Sequence, residues 1–357
     1  MLIKKVGGTN FRNLLNFEIE PHEKTNVIYG QNAQGKTNLL ELIWLFTGAK
    51  SFRTNKDSFL INEEKEEAKI NLLFEKEKND NEAEIRIKQR RTAFFNEKKL
   101  SSPSSLAGNF CAIVFSPDDL SLISGSPEKR RRFLDIAISQ IYPKYIEILK
   151  RYTRAMAQRN YVLKNIKERK EDEEFLYSFE KEMAESGKNI IKYRKRYLEL
   201  CEEYIKNIYS GISHKKEEFS LLYEPCVKEE ELLEKLKEKR KEDILNGYTS
   251  VGPHRDDIDF IIDKKSVKNF GSQGQKRSVA LALKLSEAEV LNKINGEYPV
   301  ALLDDVFSEL DPERQNFILN HIDKMQVFIT CCDPANIKNL LKGSVFKVIN
   351  GNIEKEK

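Results

Sequence analysis

The sequence predicts an α/β fold: a split nucleotide-binding head with an antiparallel β subdomain, interrupted by an inserted α-helical arm. Three observations predict it. "GQNAQGKT", residues 30–37, fits G-x-x-x-x-G-K-[ST] and lies between the apolar strand "NVIYG" and the amphipathic helix "KTNLLELIWLF". Composition changes twice along the chain, turning almost wholly helical and highly charged near residue 126 and strand-like again after Gly247. In the returning part an apolar strand, "YPVALLDD", closes on Asp304 and Asp305. These boundaries give a head of residues 1–115 and 247–357 and an arm of residues 116–246.

Each element has a local reason. "AKINLLFEKE" and "AEIRIKQRRTAFF" alternate apolar and polar residues on either side of the turn-like "KNDNE", the pattern of half-buried strands. In the middle, Phe175, Phe179, Met183, Ile190, Tyr193, Tyr197, Cys201, Tyr204 and Ile208 recur at steps of three, four and seven, one apolar stripe on a long helix. "KEEELLEKLKEKRKEDIL" reads as a second amphipathic helix. Neither stripe is wide enough for a globular core, so the two are expected to pair as a short antiparallel arm. "DIDFIIDKK", "YPVALLDDV" and "MQVFITCCD" are the strands that follow.

Composition sets the class. Of 357 residues, 33% are charged and 39% hydrophobic, which describes a soluble, heavily charged globular protein. No run approaches the ~18 apolar residues of a membrane span, and "MLIKKVGGTNFRN" lacks the apolar region of a signal peptide. A cytoplasmic protein with no membrane partner is expected. Five cysteines without C-x-x-C spacing argue against a disulfide framework, and four scattered histidines give no zinc pattern. A net charge of +4 leaves nucleic acid open if the basic residues cluster.

The chemistry starts at residues 30–37. Successive N–H groups of Gly30, Gln31, Asn32, Ala33, Gln34 and Gly35 cradle phosphates, Lys36 reaches the β/γ-phosphates, and the Thr37 hydroxyl holds Mg²⁺. Asn38 follows on the same helix. Asp304, at the C-terminal end of its strand, is the second candidate metal ligand, and Asp305 the candidate for orienting and deprotonating the attacking water. "NFGSQGQKRS" then raises a separate question. Its glycine-spaced, donor-rich loop empties into a helix N-terminus, which favours an anion. Between Ser272 and Asp304 there is room for one helix, a turn and the metal-binding strand. A helix feeding that strand's start begins far from the strand's C-terminal end, so the loop is expected to meet the γ-phosphate presented by a second copy.

P-loop, "SQGQ" opening a helix, "LLDD" and "SELD" together resemble the ABC-type ATPases, and "TNFRNLLNFEIEPHEKTNVIYGQNAQGKTNLLE" near the N-terminus resembles the branch holding the SMC heads. "FSPDDLSLISGSPEKRRRFLD", "SVGPHRDDI" and "GSQGQKRSVALALKLSEA" are similar to the RecF family of bacterial recombination and repair ATPases, a resemblance running over about residues 1–350. The resemblance implies a signature loop offered in trans by Ser272, Gln273, Gly274 and Gln275. It implies a D-loop at Ser308, Glu309, Leu310 and Asp311, and a phosphate-facing arginine at Arg12. It implies a weak, DNA-dependent ATPase working as a switch with ATP and Mg²⁺, and an ATP-dependent homodimer. Its partners would be double-stranded DNA, single/double-strand junctions at gaps, RecR with RecO, and indirectly RecA, in the nucleoid. Departures from the pattern are Asp305 where the base is usually Glu, Cys331 and Cys332 where many ABC ATPases carry a switch histidine, and no glutamine in "VFSPDDL". The first two point to slow hydrolysis.

For DNA, the residues themselves offer two basic runs: Arg86, Lys88 and Arg90 on one face of a strand, and Lys129 and Arg130 within "EKRRRF". Neither aromatic interleaving nor a helix-turn-helix or zinc pattern accompanies them, so binding is expected to be backbone-directed and indifferent to sequence. A transporter's energising subunit is disfavoured by the long charged arm, and a structural SMC tether by an arm too short for a long coiled coil.

Overall fold

In the computed structural model the described residues are 1–168, 172–214, 216–333 and 343–356. Along the chain the strands are β1 Leu2–Phe11, β2 Leu14–Ile19, β3 Thr25–Tyr29, β4 Ala68–Lys76, β5 Asn79–Ile87, β6 Arg91–Phe95, β7 Lys98–Lys99 and β8 Ala112–Phe115. They continue as β9 Phe219–Glu224, β10 Asp257–Ile262, β11 Lys265–Ser266, β12 Val300–Asp304, β13 Val327–Cys331, β14 Gly343–Ile349 and β15 Asn352–Lys355. Two compact units result, one of Met1–Asp119 with Leu283–Lys357, the other of Leu120–Ala282.

The first unit carries two sheets. One is antiparallel, in the order β2-β1-β4-β5-β6-β7. Its alternation is the one the sequence predicts: Ala68, Ile70, Leu72 and Phe74 of β4 and Ala83, Ile85 and Ile87 of β5 all point into the core. The other runs β15-β14-β3-β13-β12-β8, parallel from β14 to β8. All five residues of β12 and of β13 are buried, as expected of strands covered on both faces. Helix Lys36–Leu45 packs against β12 and β13 of this sheet and against β1 of the other. Wedged between sheets, it is buried almost all round rather than on one stripe, Leu39, Leu40, Leu42 and Ile43 being fully covered.

The second unit is mostly helical. Helix Leu176–Ile212 buries Met183, Ile190, Tyr197, Cys201 and Ile208 of the predicted stripe, together with Leu176, Ile191, Leu198 and Ile205. Phe179, Tyr193 and Tyr204 of the stripe are only half-buried, and Phe175 lies just before the helix and is exposed. Its long antiparallel partner is helix Lys144–Lys167, set by Arg151 with Glu182 and Arg159 with Glu180. The stretch read as that partner instead forms two short helices, Leu232–Glu238 and Arg240–Asn246, broken at Lys239. The middle is also not wholly helical: β9 lies within it and pairs with β10, and β11 completes a three-stranded sheet. This pairing places residues 247–282 in the unit with the helices, where the change in composition had suggested the head.

Candidate nucleotide site

The loop of residues 30–37 joins β3 to its helix through backbone shapes that restrict its residues. Gly35 has φ +115, and a Cβ there would sit 2.7 Å from Asn13 Oδ1; at Gly30 a Cβ would meet the Val348 carbonyl oxygen at 2.4 Å. Ala33 tolerates φ +65 at the loop's exposed turn. The loop is pinned from outside. Asn350 N–H donates to Gln34 Oε1 at 2.5 Å and Gly351 N–H to the Gln34 carbonyl at 3.2 Å. Gln34 is therefore committed to the β14–β15 turn in addition to bordering the cleft.

Lys36 is buried and folds onto its own loop, donating from Nζ to the carbonyls of Gly30 (2.6 Å) and Gln31 (3.0 Å), with Cys332 Sγ at 3.8 Å. The Cys332 thiol in turn donates to Asn32 Oδ1 at 3.1 Å. Thr37 Oγ1 donates to Asp304 Oδ1 at 2.8 Å, and Thr330 Oγ1 donates to the same oxygen at 2.8 Å. Thr330 also accepts from Asp305 N–H at 2.9 Å. Asp305 takes φ +52, a left-handed conformation in which Asp is tolerated better than most residues. Parallel pairing of Asp304 with Thr330 sets these groups side by side at the strand ends. A hydroxyl and a carboxylate at this spacing form a hard-oxygen pair of the kind Mg²⁺ takes alongside phosphate oxygens and water.

Arg12 sits in the β1–β2 turn at φ +50. Its guanidinium binds the fully buried Glu41 of the P-loop helix through two bonds, one from Nη2 at 2.7 Å and one from Nε. Ser51 donates to the same carboxylate, and Arg53 lies 3.6 Å from it. A parallel relay runs from Arg53 Nη1 to Asn38 Oδ1 (2.6 Å) and from Asn38 Nδ2 to Asn13 Oδ1 (2.7 Å). Asn38 is thus engaged with side chains around the loop. Arg12, Asn32, Ala33, Gln34, Gly35, Lys36, Thr37, Asn38, Asp304 and Asp305 all line one open cleft of roughly 740 Å³, within the size range of small-molecule sites. Gly30 and Gln31 contribute the carbonyls that hold Lys36.

Among residues the sequence did not single out, Thr330 and Asn13 line this cleft and Glu41 holds Arg12 beside it. Glu41 had a signal, a carboxylate inside an otherwise apolar helix, which needs a partner to be buried. Thr330 had none, since only strand pairing brings it beside Asp304. After β8, Ser116 N–H donates to Asp119 Oδ2 at 2.8 Å. Burial pushes the Asp119 carboxyl up to about 6, against the opposing pull of Lys284 and the Ser116 N–H.

The residues expected in trans lie in the second unit. Ser272 Oγ accepts from Gln275 N–H at 3.1 Å while Gln275 Oε1 accepts from Ser272 N–H at 2.8 Å, a reciprocal capping box opening helix Gln273–Asn295. Gln275 Nε2 also donates to Glu217 Oε1 at 2.8 Å. Gln273 stays exposed and Gly274 half-buried at the first turn. Of the expected D-loop, Asp311 caps helix Pro312–Ile322 through Arg314 N–H at 3.0 Å, and Leu310 precedes it. That bond and the Arg314 side chain hold the Asp311 carboxyl below its ordinary value. The side chains of Ser308 and Glu309 lie outside the described residues.

The basic residues divide. Arg86 and Lys88 are 54% and 68% exposed, Arg86 on β5 over the Phe94 ring and beside Glu84, Lys88 just past the end of β5, off the strand face the alternation assigned it, and beside Glu67. Arg90 is exposed but falls in the β5–β6 connection, off the strand face that the alternation assigned it. Lys129 is exposed on helix Pro127–Ile141. Arg130 is not a surface residue. Only 1% exposed, it forks onto Asp257 through Nε (2.6 Å) and Nη2 (2.9 Å) and donates to the carbonyls of Leu122 and Gly125. A guanidinium so enclosed has no donor to offer a phosphate.

Residues 2–353 match the family described as RecF/RecN/SMC N terminal domain. A "DNA replication and repair protein RecF" from Clostridium perfringens strain 13 is 38% identical over 99% of this chain and 100% of its own length. The protein of that name from Clostridium acetobutylicum is 40% identical over 99% of each. The chain belongs to the RecF family. A solved structure of the recombination mediator protein RecF with ATP, of the RecFOR pathway, superposes on this family member with a TM-score of 0.93 at 35% identity, covering 100% of this chain and 98% of that one. An Smc head domain from Pyrococcus furiosus shares the fold alone, at TM-score 0.56 and 16% identity over 99% and 95% of the two chains. The fold is thus that of an ABC-type ATPase head with an antiparallel β subdomain and an inserted helical region. Among the described residues no helix is long and apolar enough to cross a membrane.

Proposed function

We propose that this chain is an ATP-switched DNA-repair protein of recombination and replication restart. ATP binds at residues 30–37, two chains close over it, and the closed dimer grips DNA at gaps without reading sequence. The observation that carries the reading is the placement of the Thr37 hydroxyl on Asp304, at 2.8 Å, on the floor of the cleft that Lys36 and the P-loop border.

In this reading Lys36 exchanges the carbonyls of Gly30 and Gln31 for phosphate oxygens, and Arg12, oriented by Glu41, faces the phosphates. Thr37 and Asp304 would hold Mg²⁺, which supplies charge neutralisation to the β- and γ-phosphates. Asp305 positions and deprotonates water; being one methylene shorter than Glu, it suits slow turnover and a long-lived closed state. In the partner chain, the residues at 272–275 offer a helix N-terminus to the γ-phosphate, and Ser308, Glu309, Leu310 and Asp311 run along the dimer seam. Arg86, Lys88, Arg90 and Lys129 contact DNA phosphates. RecR with RecO, and RecA through them, are the partners supported by family membership and by the RecFOR pathway to which the ATP-bound relative belongs. The proposed functional division is an ATPase head with a helical arm inserted in it, in a protein acting in the cytoplasm at the nucleoid.

Equilibrium binding of a fluorescent ATP analogue tests the division of labour. Lys36→Met should lose affinity, while Asp305→Asn should bind ATP, stop hydrolysing it and accumulate as a dimer. Equal loss of binding in both variants would overturn the assignment of Asp305 to water activation.

A further inference from the structure

The loop of residues 272–275 is held by a side chain far from it in the sequence. Gln275 Nε2 donates to Glu217 Oε1 at 2.8 Å, across 58 positions of the chain. The other oxygen of that carboxylate, Oε2, accepts from the Tyr209 hydroxyl, in the last turn of helix Leu176–Ile212. All three residues belong to the unit of Leu120–Ala282. One carboxylate thus takes a bond from the signature loop on one oxygen and from the long helix of the arm on the other.

The segment that carries Glu217 is fixed at both ends. Ser213 N–H closes the helix on the Tyr209 carbonyl at 2.8 Å. Tyr209 is buried, its ring packed on Phe219 of β9 with centroids 5.4 Å apart. On the other side, Glu218 N–H donates to Asp263 Oδ1 and Asp263 N–H returns a bond to the Glu218 carbonyl, both at 3.0 Å. Phe219 then pairs with Ile262 in the β9–β10 register. Glu217 lies half-buried between these anchors.

The carboxylate also decides which way the Gln275 amide points. An ionised carboxylate only accepts, so it takes the NH₂ end of the amide. Oε1 is left for Ser272 N–H at 2.8 Å, while Gln275 N–H donates to Ser272 Oγ at 3.1 Å. A reversed amide would set acceptor against acceptor at Glu217 and donor against donor at Ser272.

We propose that Glu217 is the positioning residue of the signature loop. By holding the Gln275 amide it fixes the turn that meets the partner chain's γ-phosphate, and it ties that turn to the end of the arm's long helix. The inference rests on the in-trans reading above and adds to it a residue that acts through Gln275 rather than on the nucleotide.

Sedimentation equilibrium of the full-length chain with a non-hydrolysable ATP analogue and Mg²⁺ tests it. Binding of a fluorescent ATP analogue to dilute monomer is the second readout. Glu217→Ala loosens Gln275, and re-ordering such a side chain costs roughly threefold or more. A two-fold dimer carries two such loops, so its dissociation constant should rise about tenfold or more, with monomer ATP affinity unchanged. Glu217→Gln should restore the dimer, because its Oε1 still accepts from Gln275 and the Tyr209 hydroxyl can turn to accept from its Nε2. Because Glu217 is half-buried, its truncation leaves the core intact; a melting curve checks this. An unchanged dimer in Glu217→Ala would overturn the proposal, as would a Glu217→Gln protein as weak as Glu217→Ala. Monomer ATP affinity falling in step with the dimer would also overturn it, making Glu217 a support of the fold at large. A wild-type chain that stays monomeric with the analogue would overturn the in-trans reading and this proposal with it, an outcome told apart because it needs no variant.

Discussion

Arg130 offers a sharp separation between a structural and a DNA-binding arginine. Arg130→Ala leaves Asp257, about a fifth exposed, without the two-pronged partner that holds it at 2.6 and 2.9 Å, and strips a donor from the Leu122 and Gly125 carbonyls. Removing one partner of a buried pair costs ~3–5 kcal/mol; because Asp257 keeps some water, the low end, about 3 kcal/mol, applies. At ~2–4 °C per kcal/mol for a unit of this size, Tm should fall by roughly 6–12 °C. Burial raises the Asp257 carboxyl, but the Arg130 bond and the Ile258 N–H outweigh it and leave it below its ordinary value. A depressed carboxyl stabilises above its unfolded pKa, and that contribution is lost as pH falls through the folded value. Circular dichroism melts at pH 7 and at pH 3 should therefore show the variant's deficit shrinking in acid. DNA titrations at several salt concentrations, below the variant's Tm, should give the wild-type slope. A variant that melts with wild type yet loses one phosphate contact from the salt slope would refute the burial argument and return Arg130 to the DNA surface.

Arg86→Ala combined with Lys88→Ala should do the reverse, changing stability by less than about 0.5 kcal/mol and flattening the log–log salt dependence of DNA affinity by about one to two units. Glu41→Gln should keep the core packed but loosen Arg12, weakening ATP binding; loss of folding instead, read by circular dichroism, would make the pair structural only. With its carboxyl raised to about 6, Asp119 should add stability fully below its unfolded pKa near 4 and lose it as pH rises through 6. Melts of Asp119→Asn should be flatter over pH 4–7, and an unchanged profile would remove Asp119 as the titrating group.

What the sequence made legible was local. The P-loop and the strand ending in Asp304 are each written in one continuous stretch, so the strand–loop–helix order and the strand could be read directly. The long helix Leu176–Ile212 was legible from its stripe, but a stripe says that a face is buried and not against what, so its partner, helix Lys144–Lys167, was misassigned. Strand β9, "FSLLYE", was hidden inside a charged, helix-rich region and is fixed only by pairing with β10, about thirty-five residues on. The basic run "EKRRRF" misled because successive residues on a helix point about 100° apart: Lys129 and Arg132 face outward while Arg130 turns in. Its acceptor, Asp257, sits in "HRDDI", over a hundred residues away. Asp256 of the same stretch accepts from Arg194 at 3.0 Å and Tyr223 at 2.5 Å, so two of the three stretches that carried the family resemblance meet in the interior of the second unit.

A composite site closed by ATP between two copies is tested most directly by sedimentation velocity. Asp305→Asn protein should sediment as a monomer alone and as a dimer with ATP and Mg²⁺. Adding Ser272→Arg should cost about 1 kcal/mol for the lost cap, leave ATP binding intact and abolish the dimer. A dimer that forms without ATP, or one that persists with arginine at position 272, would contradict the account.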